Sequence, residues 1–406
     1  MAGKSASVLT SGIRLSDYLS VGLLARLVPP NVINEALSKY ERHSQRQRDF
    51  PADAVAYYVM AMSIYRDVNT EEVMRIISEG MGFLGSQSVR REVGKSAISA
   101  ARRKLGSQVM EHIAQVSCQP LADHASMHGL YKGLKVVSID GTTLEVADEP
   151  ANREAFGVPG TGQGITGYPQ IRCVSLLENA TGVLFGTTLG GCHDDEKVLA
   201  VNTLKYLKPD MLCLADRGFL GYPLWQTASE TGAHLLWRTT KNRNLPILTS
   251  LPDGSYLSEI YPSDVTLKKM DNQLVKPIQV RVIEYRLPKI QDSEPIYRLM
   301  TTLLDHEMYP AIELATLYHE RWRVETTFAE LKTTLKGADV ILRSKTPDLV
   351  RQEFWGLMLA HYVVRKMMFE SALAIEKPPI SLSFKHTLSI IRRKLPISGA
   401  IPPCGI

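Results

Sequence analysis

A chain of 406 residues that is 44% hydrophobic and 22% charged has enough apolar material for two or three packed domains. No apolar run nears the roughly 20 residues needed to cross a bilayer, and the start MAGKSASVLTSGIRLSDY lacks a secretory-type stretch, so a soluble cytoplasmic protein without a membrane partner is expected. The net charge of +5 excludes little by itself, since it suits nucleic acid, other anions or neither, so the distribution of charge matters more than its total.

From Leu15 to about Ala125 apolar residues recur at helical spacing, as in AVAYYVMAMSIY and VMRIISEGM, which predicts an all-helical domain. Ser96 is expected to cap a short helix, AISAARRKLG, with Arg102, Arg103 and Lys104 on its exposed side. That pattern suits the DNA-reading helix of a helix-turn-helix and equally an ordinary amphipathic surface helix. Basic residues also gather from Lys39 to Arg48, from Arg90 to Lys104 and around Lys385 to Lys394.

After Gly133 the texture changes to short β-branched or apolar runs, LKVVSID, IRCVSLLEN, GVLFGTTL and MLCLAD, with HDDEKVLAVNTLKYL as a helix before the last of them. Three strands, a helix and a strand predict a mixed α/β core. Residues 242–300 are polar and proline-containing, with strand-like alternation in IQVRVIEYRL, and read as a β-rich insertion. Helical pattern resumes from Met308 to Lys336 and again from Pro347 to about Glu376, ahead of a basic, proline-broken tail.

Two acids end apolar strand runs: Asp140 in VVSID and Asp216 in MLCLAD. A carboxylate emerging from a buried strand is costly unless it is paired, bound to metal or solvated in a site. A third acid, Glu325, lies in YHERWRVETTFAELK, where Tyr318, Arg321, Glu325 and Lys332 stand at offsets 0, 3, 7 and 14 and share one face of an ideal helix. Hard divalent cations select carboxylate oxygens, and two such ions can activate an attacking oxygen and stabilise a leaving one in phosphodiester chemistry.

Strand Asp, strand Asp and a helix Glu within Y-x2-R-x3-E-x6-K resemble the insertion-element-4 family of DDE transposases. SIDGTTL and LADRGF resemble its first two acidic motifs, and the resemblance runs from the helical amino-terminal region to about Phe369. It implies an RNase H-like α/β catalytic core with a β-rich insertion, preceded by an all-helical DNA-binding domain. The expected segments are 1–128, a helical DNA-binding domain; 129–241, the first part of the core; 242–300, the insertion; 301–376, the second part of the core; and 377–406, a basic tail.

The resemblance further implies that Asp140, Asp216 and Glu325 are catalytic and hold two Mg²⁺ ions, with Mn²⁺ able to substitute. Tyr318, Arg321 and Lys332 would hold phosphates of double-stranded DNA, with Arg321 alternatively orienting an acid by an ion pair. The implied activity is cut-and-paste transposition: binding of terminal inverted repeats, cleavage of element ends and joining of 3′-hydroxyls to target DNA, by a homodimer in a synaptic complex and in association with the nucleoid. Some relatives form a DNA hairpin on an aromatic residue at the end of the insertion. Tyr297 occupies that place here, as a DNA contact or as strand packing, and Arg238 beside Trp237 is a further candidate DNA contact.

Other patterns receive plainer readings. The run His193 to Glu196 caps a helix, TGQGITG from Thr161 to Gly167 is a turn, and Cys118, Cys173, Cys192, Cys213 and Cys404 are reduced thiols. SIDGTTL is also reminiscent of haloacid dehalogenase-like phosphatases, but Ser138 stands where their nucleophilic aspartate belongs. The ending PISGAIPPCGI reads as short for the family, which leaves an end-binding repressor without cleavage as the alternative.

Overall fold

The computed structural model describes the chain apart from residues 1–7, 10–12, 15–19, 45–49, 84–92, 123–128, 161–166, 270–276, 287–295, 338–340 and 400–406. The TGQGITG turn, apart from Gly167, and Cys404 lie outside the described residues. The chain forms two compact units, one of residues 1–119, 144–171 and 329–406, the other of 120–143 and 172–328.

The first unit is helical. Helix Ala52–Ile64 carries apolar side chains on nearly its whole circumference and buries every residue but Asp53, as a helix surrounded by others must. The 28-residue helix Pro347–Ala374 packs on it. Gly356 marks their closest approach, since a Cβ there would stand 2.6 Å from the Val59 carbonyl oxygen. Arg66 pairs with the buried Glu353 at 2.9 Å, and Glu353 also accepts from the Ser344 amide and hydroxyl.

Helix Lys95–Leu105 begins after Gly94, which is its N-cap, so Ser96 does not cap it. Arg102 corrects another expectation: it is buried, not on the exposed side, and donates to Ser344 Oγ and the Leu349 carbonyl. A buried guanidinium that donates to internal oxygens is placed to hold the fold together. Arg103 and Lys104 do face solvent.

In the second unit the sheet runs in the order Val183–Gly191, Gln170–Glu178, Leu134–Glu145, Met211–Ala215, His234–Thr239, Tyr297–Thr301, Ile278–Tyr285, Tyr256–Ile260, Thr249–Ser250. The three strands at its centre, Leu134–Glu145, Met211–Ala215 and His234–Thr239, are parallel. Covered on both faces, they are apolar almost continuously, which explains MLCLA and VVSI. The strands expected as an insertion are antiparallel and extend this same sheet, entering it where Tyr297–Thr301 pairs with His234–Thr239.

Side chains alternate between the faces of a strand. Val137 and Ile139 pack with Leu199 and Ala200 of helix Glu196–Leu204 on one face, whereas Val136, Leu212 and Leu214 pack with Leu314 and Tyr318 of helix Ala311–Tyr318 on the other. Asp140 therefore shares the second face and Gly141 the first. The long helix expected from Met308 to Lys336 is segmented: Ala311–Tyr318 leads through a 3-10 turn, His319–Arg321, into Trp322–Ala329, and Glu330–Leu335 is a π turn. Cys118, Cys173, Cys192 and Cys213 are buried.

Candidate active site

Asp140 lies in strand Leu134–Glu145, accepting a bond from the Gly141 amide at 2.8 Å. Asp216 directly follows Met211–Ala215 and caps the 3-10 turn Arg217–Phe219 by accepting from the Gly218 amide at 2.8 Å. Because the two strands are parallel neighbours with Ser138 opposite Leu214, Asp140 and Asp216 stand level with each other along the chain direction.

Helix residues complete the arrangement. Arg321 reaches Asp140 Oδ2 at 3.5 Å and Glu325 Oε1 at 2.8 Å, joining the first strand to the helix acid. Tyr318 is buried, and its hydroxyl donates to the Ala215 carbonyl, the residue before Asp216. The phenol expected to hold a phosphate ties helix to strand here, its one donor used inside the protein. Arg321 makes ion pairs of the kind weighed for it alongside a phosphate contact. Asn179 adds a further tie, accepting from the buried Ser138 hydroxyl and donating to the Glu320 carbonyl.

Burial pushes the Asp140 carboxyl up to about 6, against the Gly141 amide and Arg321, which favour its charge, and with Asp216 and Glu196, which oppose it. The donor set, hard carboxylate oxygens held by two strands and a helix, suits a divalent cation, and the excess negative charge around Asp140 is what such a cation would relieve. Among the described residues no three His, Cys, Asp or Glu side chains converge tightly enough to share one ion as they stand. Arg321 is paired with both Asp140 and Glu325, so its positive charge lies between the two carboxylates.

Outward from the acids, Tyr297 stacks on Tyr285 at 5.3 Å, and the Arg238 guanidinium lies 4.7 Å from the centre of the Tyr297 ring. Trp237 is fully buried against Trp225, as core. A cavity of about 480 Å³ next to Asp216 is lined by Arg217, Thr239, Thr240, Lys241, Asn242 and Arg298. Lys241 and Arg217 were not singled out from the sequence, although Arg217 follows Asp216 directly in LADRGF. Lys332 sits in the π turn and belongs to the first unit.

The acidic run before helix Glu196–Leu204 divides. Asp195 caps it, accepting from the Lys197 amide, and Asp194 accepts from the Gly191 amide. Glu196 instead turns toward Gly141. Nothing in the local sequence separates these acids, since only the fold brings Gly141 beneath that helix.

Comparison with known proteins gives consistent matches. Residues 18–114 match the family described as insertion element 4 transposase N-terminal, and residues 131–363 match the transposase DDE domain. The chain is 26% identical over 392 residues to the transposase InsG for insertion sequence element IS4 of Escherichia coli (strain K12), covering 96% of this chain and 84% of that protein. It is 24% identical over 227 residues to a putative transposase, InsZ, of the same organism, covering 56% of this chain and 73% of that one. Among solved structures, the piggyBac transposase synaptic complex with hairpin DNA aligns with a TM-score of 0.47 and 11% identity, over 99% of this chain and 85% of that chain.

Proposed function

Because the chain belongs to the insertion-element-4 family of DDE transposases, we propose that it cuts the ends of its element by divalent-cation-dependent phosphodiester hydrolysis and joins the freed 3′-hydroxyls to target DNA. The observation that carries this reading is Arg321 bridging Asp140 and Glu325 while Tyr318 ties the same helix to the strand of Asp216. Random acids would have no reason to be brought together by one helix in this way.

Asp140, Asp216 and Glu325 would hold Mg²⁺, or Mn²⁺ in its place, and two such ions supply activation of the attacking oxygen and stabilisation of the leaving one. The chain's own residues position. Tyr318 keeps the helix in register with the strand end, and Arg321, freed from one carboxylate, is placed to meet a backbone phosphate bidentately. Arg217 and Lys241 at the cavity beside Asp216 suit phosphates of the flanking strand. Charge alone would favour any duplex, so end recognition rests on base contacts made elsewhere.

The second unit's sheet, parallel at its centre and flanked by helices on both faces, supports an RNase H-like core. The helical first unit is the proposed DNA-binding part, with Arg103 and Lys104 as contacts. Pairing two element ends calls for two active sites, hence a homodimer in the synapse.

Cleavage of labelled DNA bearing the element's terminal repeat tests the reading, with Mg²⁺ against EDTA and wild type against Glu325→Gln. Mg²⁺-dependent nicking at the repeat boundary, lost in Glu325→Gln with binding retained, is the expected result. Binding without cutting by the wild type would make the protein an end-binding repressor, and nicking that survives Glu325→Gln would remove Glu325 from the chemistry.

A further inference from the structure

Gly141 follows Asp140, and the room its missing side chain leaves is taken by Glu196. A Cβ on Gly141 would stand 1.8 Å from Glu196 Oε1 and 2.8 Å from its carboxyl carbon. Any larger residue at 141 would drive that carboxyl away, so the glycine in SIDGTTL admits an acid to the backbone beside Asp140.

An acid in the first turn of a helix ordinarily serves the helix dipole from solvent. Glu196 does something more expensive. Asp195 already caps the helix, yet the Glu196 carboxyl is partly withdrawn from water against a strand that carries one acid and neighbours another. Acids gathered at such cost are relieved by a cation. Arg321 supplies positive charge on the Asp140 face of the sheet; Glu196 comes from the Gly141 face, where helix Glu196–Leu204 packs.

We propose that Glu196 is a fourth carboxylate of the divalent-cation site, facing the ion from the side of the sheet opposite Arg321; this rests on the reading of Asp140, Asp216 and Glu325 as cation ligands. Mg²⁺ takes few protein ligands and keeps several waters. Glu196 can therefore act by accepting hydrogen bonds from the ion's own water, a kind of partner whose loss weakens metal affinity about 10- to 100-fold.

The test is Mn²⁺ titration of the full-length chain, with free ion followed by electron paramagnetic resonance, for wild type, Glu196→Gln and Asp216→Asn. Melting in EDTA serves as the control for folding. Wild type binds, Asp216→Asn loses most of the binding, and Glu196→Gln binds about tenfold or more weakly while melting in EDTA no lower than wild type, since a repulsion has been removed. Wild-type affinity in Glu196→Gln with loss in Asp216→Asn overturns the role of Glu196 and leaves the triad standing. Affinity unchanged in both variants, or no binding by the wild type, overturns the cation reading and this inference together. Should Glu196→Gln melt low, Gly141→Ala decides, because it displaces the carboxyl while keeping every charge: weakened binding supports the inference and wild-type affinity overturns it.

Discussion

Asp140 is under opposed influences that a titration can separate. Its carboxyl is held up at about 6 in the folded chain, mainly by burial, whereas an unfolded aspartate ionises near 3.9. The folded state therefore prefers the protonated acid. The stability this confers is complete below the unfolded value and is lost as pH rises through about 6. A difference from 3.9 to about 6 corresponds to roughly 3 kcal/mol at full effect, an upper figure for a side chain one-fifth exposed. Asp140→Asn, which stays neutral, is expected to unfold in EDTA at higher denaturant than wild type at pH 7.5 and to lose most of that advantage at pH 4. Equal midpoints at both pH values would mean that Asp140 carries no such burden. With Mg²⁺ present the order at pH 7.5 should reverse, because only the carboxylate can hold the ion.

Among the elements, helix Ala52–Ile64 and helix Pro347–Ala374 show how packing rather than propensity decides a glycine. Gly356 lies mid-helix, where glycine costs about 1 kcal/mol relative to alanine. Yet a Cβ there would meet the Val59 carbonyl oxygen at 2.6 Å and its Cγ1 at 2.8 Å, and a backbone atom cannot rotate aside. Gly356→Ala should thus lower stability by about 1 to 3 kcal/mol, as overpacking does, readable as a lower urea midpoint with an unchanged slope. A gain in stability would show that the two helices separate easily. The strands and helices themselves were legible from periodicity because the buried parallel strands are continuously apolar and the helices keep their spacing. What could not be read was the break in the motif helix. A 3-10 turn at His319–Arg321 and a π turn at Glu330–Leu335 change the angle per residue, so an ideal projection from Tyr318 does not extend to Lys332. Asp140 and Asp216 stand out in the sequence because acids closing apolar runs are rare, and Glu325 because of its spacing from Tyr318 and Arg321; Glu196 does not, because its place beside Gly141, 55 positions away (196 − 141), is set by the fold alone.

At the scale of the whole molecule, binding to DNA should separate basic residues that look alike in sequence. Arg102, Arg103 and Lys104 are consecutive in helix Lys95–Leu105, but Arg102 is buried against Ser344 and Leu349 while its two neighbours are exposed. Each phosphate contact releases counterions, so its loss flattens the dependence of log affinity on log salt by about 0.9. Arg103→Ala and Lys104→Ala are expected each to reduce that slope by about 0.9 on any duplex, without changing the melting temperature appreciably. Arg102→Ala should leave the slope of the folded protein unchanged and instead lower its melting temperature, because Ser344 and the Leu349 carbonyl lose a charged donor in a buried place, a loss of roughly 1 to 3 kcal/mol. Fluorescence anisotropy of a labelled duplex from 50 to 300 mM salt, alongside thermal melts of the same samples, reads both effects. If Arg103→Ala and Lys104→Ala left the slope intact, this helix would be a solvated face and DNA contact would have to come from other surfaces. If Arg102→Ala flattened the slope without a loss of stability, Arg102 would have to leave its internal partners when DNA binds, and the helix would read DNA in a conformation different from the one seen here.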